Sequence, residues 1–245
     1  MELAIDTSTD TASIAVASQG DLVAELTWRA GQNHTAELIP NLVDLLRQAG
    51  LALKDIDGLI VARGPGTFNG LRVGMSVAKG FAFGLGVPLV GIGTLEVTAF
   101  PHSTAGLPVC AMMNAGRGDL AAAVFQLTGG GWLRVVEEHV TTLDDLVARI
   151  ERETVFCGAL PSEAVSCIRG RLGEKALFAP GASTPRRAGF LAELGWRRLS
   201  KGDFDHSPTL QPLYLKRPAI TVSRKWRYQD PQPRGDLEGS GREQP

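Results

Sequence analysis

Apolar positions along the chain alternate or cluster in a way that predicts two successive sets of strands and helices. Each set begins with three strands separated by short polar turns, and continues with helices and further strands. The first set consists of strands over Leu3–Ile5, Ala12–Ala17 and Leu22–Trp28, a helix over Thr35–Ala49, a strand over Gly58–Ala62, a helix over Leu71–Leu85 and a strand over Val87–Gly91. The second consists of strands over Pro108–Asn114, Leu120–Gln126 and Leu133–Val140, a helix over Leu143–Arg152, a strand over Thr154–Cys157, and helices over Ser162–Arg169 and Pro185–Leu199.

This repeated order of elements predicts an α/β fold with two lobes and duplicated βββαβαβ units. The arrangement resembles the actin, Hsp70 and sugar-kinase (ASKHA) superfamily, whose members normally clamp ATP between two lobes. We expect an N-terminal lobe over residues 1–104, which residues 204–222 complete, and a smaller C-terminal lobe over residues 105–203, with a hinge over Thr94–Gly106. Residues 223–245 are rich in proline, glycine and charge, and we expect a disordered tail there.

Composition places the chain among ordinary globular proteins. Of its 245 residues 44% are hydrophobic and 21% are charged, and the formal net charge is −1. That balance excludes a strong overall attraction to nucleic acid or to membranes. The cysteines Cys110, Cys157 and Cys167 have no metal-ligand spacing. No signal peptide precedes the first predicted strand and no apolar run is long enough to span a membrane, so we expect a cytoplasmic protein with reduced thiols.

The first predicted hairpin turn is a candidate for a nucleotide-facing position in the cleft. It contains Asp6, Thr7 and Ser8, an acid and two hydroxyls that suit a ligand contact, but no glycine and no lysine. The corresponding turn of the second lobe, residues 114–119, has glycines and one arginine. Backbone amides and hydroxyls in such turns bind phosphate. The alternative interpretation is a plain hydroxyl-rich hairpin.

The loop before the second helix is the other candidate. It contains the string Gly64-Pro65-Gly66-Thr67, with Arg63 before it and Arg72 after it. Glycine amides and a guanidinium group suit phosphate or the active site of a partner. A strand-to-helix turn also requires glycine for its backbone conformation, and the two interpretations do not exclude each other.

The two helices of the first set are predicted to form an apolar face that is wider than a sheet contact requires. Two neighbouring stripes of the first helix together cover an apolar arc of roughly 160°. The second helix has few polar residues, and its glycines indicate close packing, because each costs roughly 1 kcal/mol relative to alanine. The predicted partner interface comprises Leu38, Leu42, Leu45, Val73, Val77 and Phe81. The alternative is that the fold buries both helices in its own core.

Several strings resemble the bacterial TsaB family. They are Ile5–Ser8, Asn33–Thr35 before a leucine-rich helix, Pro212–Lys216 near the C-terminus and, most specifically, Arg63–Gly74 with the sequence RGPGTFNGLRVG. The resemblance implies a member of the complex that forms N6-threonylcarbamoyladenosine next to the anticodon of tRNAs reading codons that begin with A. In that family the chain is a catalytically degenerate paralogue of the enzyme TsaD, forms a heterodimer with TsaD, and the ATPase TsaE docks on the pair.

The resemblance also implies that catalytic groups are missing. TsaD holds a metal with two histidines four residues apart at the start of this helix, a spacing that places both on one face. Here His34 is followed four residues later by Leu38. We therefore predict no metal and no catalytic residue in this chain, and a hydrogen-bonding or helix-start role for His34. No cofactor is expected to bind tightly, although ATP or ADP with magnesium at the partner interface is allowed.

The predicted function is thus a non-catalytic scaffold and activator that dimerises with TsaD, and the alternative is a homodimer of this chain through the same face. The basic residues Arg186, Arg197 and Lys201 lie on one side of the last predicted helix and its end. They form either a solvated surface or a weak contact to the tRNA backbone. The rival functions are a small-molecule kinase or ATPase that uses the interlobe cleft, and a metal-dependent peptidase-like protein.

Overall fold

A computed structural model describes residues 1–216 of the chain. The predicted tail over residues 223–245, and the last residues of the segment 204–222, lie outside the described residues. Within residues 1–216 the chain forms two five-stranded sheets with helices packed on them.

The first sheet is built from the N-terminal part of the chain. Its elements are β1 (Glu2–Asp6), β2 (Thr11–Ser18), β3 (Asp21–Arg29), α1 (His34–Gln48), β4 (Gly58–Gly64), α2 (Phe68–Leu85) and β5 (Leu89–Gly93). The strand order is β3-β2-β1-β4-β5. The first three strands form an antiparallel meander, and β4 and β5 join the sheet in parallel after the crossover helices α1 and α2.

The second sheet repeats this arrangement, which confirms the predicted duplication. Its elements are β6 (Val109–Gly116), β7 (Asp119–Thr128), β8 (Gly131–Thr141), α4 (Leu143–Ala148), β9 (Thr154–Cys157), α5 (Ser162–Leu172) and β10 (Ala176–Phe178). The strand order is β10-β9-β6-β7-β8, with β9 and β10 parallel to β6. The clearest differences from the sequence prediction are that α4 ends at Ala148 rather than Arg152, that α5 continues to Leu172 rather than Arg169, and that β10 is a strand too short to produce a periodic signal.

Helices cover both faces of the first sheet. On one face α1 and α2 enclose the larger apolar core, which includes Leu3, Ile14 and Leu59 from the strands. The other face is covered by α6 (Ala188–Leu199), whose Leu191 packs with Ile60. The sequence placed α6 in the second lobe with the rest of residues 105–203. Its packing on the first sheet departs from that prediction, and the other lobe boundaries stay predictions.

The predicted hinge over Thr94–Gly106 is a packed helical junction. It forms α3 (Thr94–Ala99) and a 3-10 helix over Phe100–Ala105. Leu95 is buried in the core of the second sheet, whereas Phe100 is buried in the core beneath α6. The junction therefore contributes to both cores rather than linking them as a loop.

The chain returns to the first sheet after α6. Asp205 forms an isolated antiparallel bridge with Leu89, and its carboxylate accepts a hydrogen bond of 2.7 Å from the amide of Gly91. Leu210 is buried in the core beneath α1 and α2. Among the helices of residues 1–216, none is long and apolar enough to cross a membrane.

Candidate functional site

A cavity of about 790 Å³ lies between the two sheets. Its wall is formed by the turn between β1 and β2, the loop between β4 and α2, the turn between β6 and β7, and the C-terminal segment. Representative lining residues are Thr9, Gly66, Thr67, Asn114, Arg186 and Tyr214. This cavity corresponds to the interlobe cleft that the sequence predicts.

The predicted cleft residues of the first turn lie beneath the cavity rather than in its wall. Asp6, Thr7 and Ser8 are buried, and the next residues of the turn, 9–11, face the cavity instead. Local hydrogen bonds turn the three side chains inward. The Asp6 Oδ1 atom accepts from the Ser8 amide at 2.8 Å and from Ser8 Oγ at 2.6 Å. Thr7 Oγ1 donates to the carbonyl of Gly70 at 2.7 Å.

The remaining oxygen of Asp6 is paired with an arginine from far along the chain. Arg186 Nε donates to Asp6 Oδ2 at 3.1 Å, and the Arg186 guanidinium also donates to Thr9 Oγ1. The side chains of Asp6 and Arg186 are only 2% and 9% exposed. The prediction that Arg186 belongs to a basic surface is therefore wrong, because its charge is used inside the protein. Arg197, in contrast, is 47% exposed and pairs with Glu193 at 2.7 Å, which agrees with the interpretation as a solvated surface.

The loop before α2 is held closely against the first turn. The amide of Thr67 donates to the carbonyl of Ser8 at 2.8 Å. A Cβ atom at Gly66 would overlap that same carbonyl, so only glycine fits there. Gly64 has φ of +115° and precedes Pro65 in a cis peptide bond. The structural interpretation of this loop is confirmed by these contacts, and its role toward a ligand stays a prediction.

The two arginines that flank this loop do not line the cavity. The carbonyl of Arg63 accepts a hydrogen bond from the amide of Leu213 at 2.6 Å, which fastens the C-terminal segment to β4. The Arg72 guanidinium lies 4.0 Å from the centre of the Phe68 ring at the start of α2. The Phe68 ring in turn contacts the ring of Tyr214. Arg63 thus acts through its backbone carbonyl, and Arg72 packs on a ring that contacts the cavity-lining Tyr214.

His34 has the hydrogen-bonding role predicted for it. The ring is buried, and Nε2 lies 2.7 Å from the carbonyl oxygen of Thr9, which joins the start of α1 to the first turn. Within residues 1–216 no group of three or more histidine, cysteine, aspartate or glutamate side chains is arranged to hold a metal ion.

The predicted partner interface needs a correction on α1. Leu38, Leu42 and Leu45 are buried in the core between α1 and the first sheet, and so cannot contact a partner in this conformation. On the neighbouring stripe of α1, Ile39 is 40% exposed and Val43 is 55% exposed, whereas Leu46 is buried in the same core. The hydrophobic arc was predicted correctly, but its leucine side belongs to the core.

On α2 the predicted residues lie at the border between core and surface. Val73, Val77 and Phe81 are partly buried against the core. Farther out, Gly80 and Gly84 have no atom within 4 Å of the position that a Cβ would occupy. We refer to the outward apolar surface of both helices as the helical face, which comprises Ile39, Val43, Val73, Val77, Gly80, Phe81 and Gly84.

A partly buried charge cluster joins the junction helix α3 to the second sheet, and no sequence pattern predicts it. Arg134 on β8 forms ion pairs with Glu138 at 2.9 Å and with Glu96 at 3.3 Å. Burial raises the pKa of Glu96 above its ordinary value, although the Arg134 charge opposes this shift. A carboxyl whose pKa is raised by folding stabilises the protein at low pH, and that contribution is lost as the pH rises through the folded pKa.

We accordingly expect Glu96→Gln to reduce the pH dependence of stability. The wild-type chain should lose part of its stability as the pH rises above 4.5, the ordinary pKa of glutamate, whereas the neutral glutamine cannot contribute to that loss. Thermal unfolding of both proteins at matched ionic strength across this range measures the difference. Parallel pH profiles for the two proteins would contradict the expectation.

Taken together, the architecture defines a class of protein. Two sheets of the same topology, each with a three-stranded meander followed by parallel strands, enclose a cleft between them. This is the two-lobed actin-like α/β fold.

Comparisons with known proteins identify the family. The family model described as "TsaD: tRNA N6-adenosine threonylcarbamoyltransferase" matches residues 25–164. The TsaB protein of Bacillus subtilis, named for tRNA threonylcarbamoyladenosine biosynthesis, is 29% identical over 196 residues, which are 79% of this chain and 86% of the relative. The TsaB protein of Escherichia coli is 38% identical over 97 residues, which are 40% of this chain and 42% of the relative.

The solved structure of YeaZ from Pseudomonas aeruginosa superposes with a TM-score of 0.70 at 25% identity, covering 87% of this chain and 99% of that one. The chain belongs to the family of the TsaD model, and within it to the TsaB/YeaZ proteins.

Proposed function

We propose that this chain is a non-catalytic subunit of the machinery that forms N6-threonylcarbamoyladenosine on tRNA, and that it binds a TsaD enzyme through the helical face. Its role is to hold TsaD in an active arrangement during transfer of the threonylcarbamoyl group. The TsaB relatives carry the name of this biosynthesis, and the family model is that of the transferase.

The observation that carries the docking part of the proposal is the helical face itself. Val43 is more than half exposed on α1, and the glycines of α2 leave its outer surface open. Because glycine has no Cβ atom, another helix can approach α2 closely beside these apolar side chains. Glycine inside a helix lowers the stability of the free chain, and an exposed apolar patch is typical of an interaction site. A matching pair of helices from TsaD would bury it in a four-helix contact.

The cleft supports the non-catalytic part of the proposal. The first turn has two acidic side chains, of which Asp10 is exposed at the cavity. Both oxygens of the other, Asp6, already accept hydrogen bonds from within the chain. A kinase or ATPase would need that carboxylate for magnesium or for a reacting group. The internal hydrogen bonds of Asp6 therefore argue against the rival function as a kinase or ATPase.

Further partners follow from the same proposal. TsaE would dock on the heterodimer, and ATP or ADP with magnesium would bind at the partner interface rather than tightly to this chain. Contact with tRNA would be indirect or weak, because Arg186 is engaged inside the fold and Arg197 is paired with Glu193.

The test is to mix the purified chain with TsaD from the same organism, and to measure the mass by light scattering after gel filtration. We expect a one-to-one complex that replaces any homodimer of the chain alone, and the experiment is run with and without magnesium and ATP to detect a nucleotide requirement. Separate peaks under every condition would contradict the docking proposal. In that event magnesium-dependent ATP turnover by the isolated chain, with Asp6→Ala as its control, tests the rival function.

A further inference from the structure

The first turn of an actin-like protein is where the fold would place the phosphates and the cation of a bound nucleotide. Here the Asp6 carboxylate of that turn is paired within the chain, while Asp10 of the same turn is exposed at the cavity. Of the two carboxylate oxygens of Asp6, one accepts from the amide and hydroxyl of Ser8 and the other accepts from Arg186. The carboxylate is almost completely removed from solvent.

These residues do not fit a magnesium nucleotide. Magnesium requires near-octahedral oxygen ligands and usually keeps several waters, so a carboxylate that binds it, directly or through water, must be reachable from the cleft. Asp6 lies beneath the cavity wall, and the positive charge of Arg186 occupies the side from which a cation would approach. A second cation there would be repelled by the guanidinium group at short range.

We propose that Arg186 is a built-in counter-ion that takes the place of the nucleotide-bound cation of the superfamily, and that it converts the first turn from a ligand site into a structural joint. The guanidinium is suited to this role because it is always charged and bridges two acceptors in a fixed geometry. It reaches Asp6 with Nε and the hydroxyl of Thr9 with a terminal nitrogen.

The joint connects four parts of the fold. Arg186 lies two residues before α6, so the ion pair fastens the start of α6 to the turn. The same turn binds the start of α1 through His34, the start of α2 through Gly70, and the preceding loop through Thr67. Arg186 is therefore a positioning residue: the neutralised turn sets where the helices on both faces of the first sheet begin.

A double-mutant cycle on the isolated chain tests the ion pair, and it does not depend on the docking proposal. We expect Arg186→Met and Asp6→Asn each to lower Tm by roughly 6–20 °C, because each leaves a buried polar partner uncompensated. The double variant should lose clearly less than the sum of the two shifts. Arg47→Met is the matched control, since Arg47 pairs with Asp44 in the open at 73% exposure, and its Tm should change little. Additive shifts, or an Arg186→Met protein as stable as wild type, would overturn the proposal.

Nucleotide binding provides the second test, and it is measured on the wild-type protein, so that it does not depend on the folding of a variant. Wild-type chain titrated with magnesium-ATP in a calorimeter should give no magnesium-dependent heat from the cleft. A magnesium-dependent signal that Asp6→Asn abolishes would show that the turn still binds a cation and would overturn the counter-ion role.

If Arg186→Met does not fold, the conservative variant Arg186→Lys still tests the role of Arg186. A lysine ammonium is a single point charge and cannot reproduce the two-acceptor bridge. We expect faster amide hydrogen exchange in Arg186→Lys at the N-terminal turns of α1 and α2, with exchange in the second sheet unchanged. Unchanged exchange at the starts of both helices would contradict the proposal that Arg186 positions them through the first turn.

Discussion

Val77→Arg is expected to abolish association with TsaD while the chain stays folded. Val77 lies on α2 at the border of the core, within the helical face. In the free chain the long arginine side chain can extend along the helix surface and keep its guanidinium in water. In a helix-to-helix contact the same charge would be desolvated without a partner, which typically costs about 3–5 kcal/mol. The corresponding loss of affinity is at least a hundredfold.

Matched variants separate this effect from damage to the fold. Val43→Arg places the same charge on the α1 side of the helical face, where the native side chain already is 55% exposed. Val135→Arg places it on β8 of the second sheet at 49% exposure, away from both helices. Association measured by light scattering and calorimetry should be lost in the first two variants and kept in the third, with circular dichroism to check folding. Unchanged affinity in both Val77→Arg and Val43→Arg would rule out the two-helix interface.

Sequence periodicity predicted the order of β1 to β9, but it missed β10 and did not show what each helix packs against. The strand over Thr154–Cys157 has the same bounds in prediction and structure, because a short apolar run between polar segments leaves little choice. The amphipathic pattern also correctly predicted a helix at α6. Its partner could not be read from the pattern, since Leu191 has the same apolar character whether it meets the first sheet or the second.

The candidate site shows the same limit. The acid and hydroxyls of the first turn allowed either a ligand contact or a plain hairpin, whereas the structure pairs Asp6 with a residue 180 positions away. Local sequence carries no information about such a partner, and Arg186 in isolation suggests a surface charge. On α1 the arc of apolar residues was visible, but the sequence could not tell which of two adjacent stripes faces the sheet. Burial of Leu38 and exposure of Val43 decide that point.

The glycines of α2, which the sequence could only count, fall into two groups in the structure. A Cβ at Gly70 would overlap the carbonyl oxygen of Thr7, and one at Gly74 would overlap the Thr7 hydroxyl. These two glycines let α2 start directly against the first turn. Gly80 and Gly84, in contrast, face open space. Nothing within residues 1–216 requires them to lack a side chain.

The second prediction follows from this division. Gly80→Ala should raise the free energy of unfolding of the isolated chain by about 1 kcal/mol, because alanine is the better helix former and meets no clash. The same change should weaken TsaD binding, because an added methyl in a closely packed contact typically costs about 1–3 kcal/mol, a loss of roughly 5–150-fold. Gly84→Ala is expected to behave in the same way. Denaturant unfolding measures the first effect and calorimetry the second.

Gly70→Ala is the matched control on the same helix and should reverse the stability effect. Its Cβ would collide with backbone rather than with the end of a flexible side chain, so α2 or the first turn must shift, and the isolated chain should lose stability. The opposite signs of the two alanine variants distinguish glycines kept for the chain's own fold from glycines kept for a partner. If Gly80→Ala and Gly84→Ala stabilise the chain and leave the affinity for TsaD unchanged, the outer surface of α2 is not the contact surface. Docking would then have to use another part of the chain.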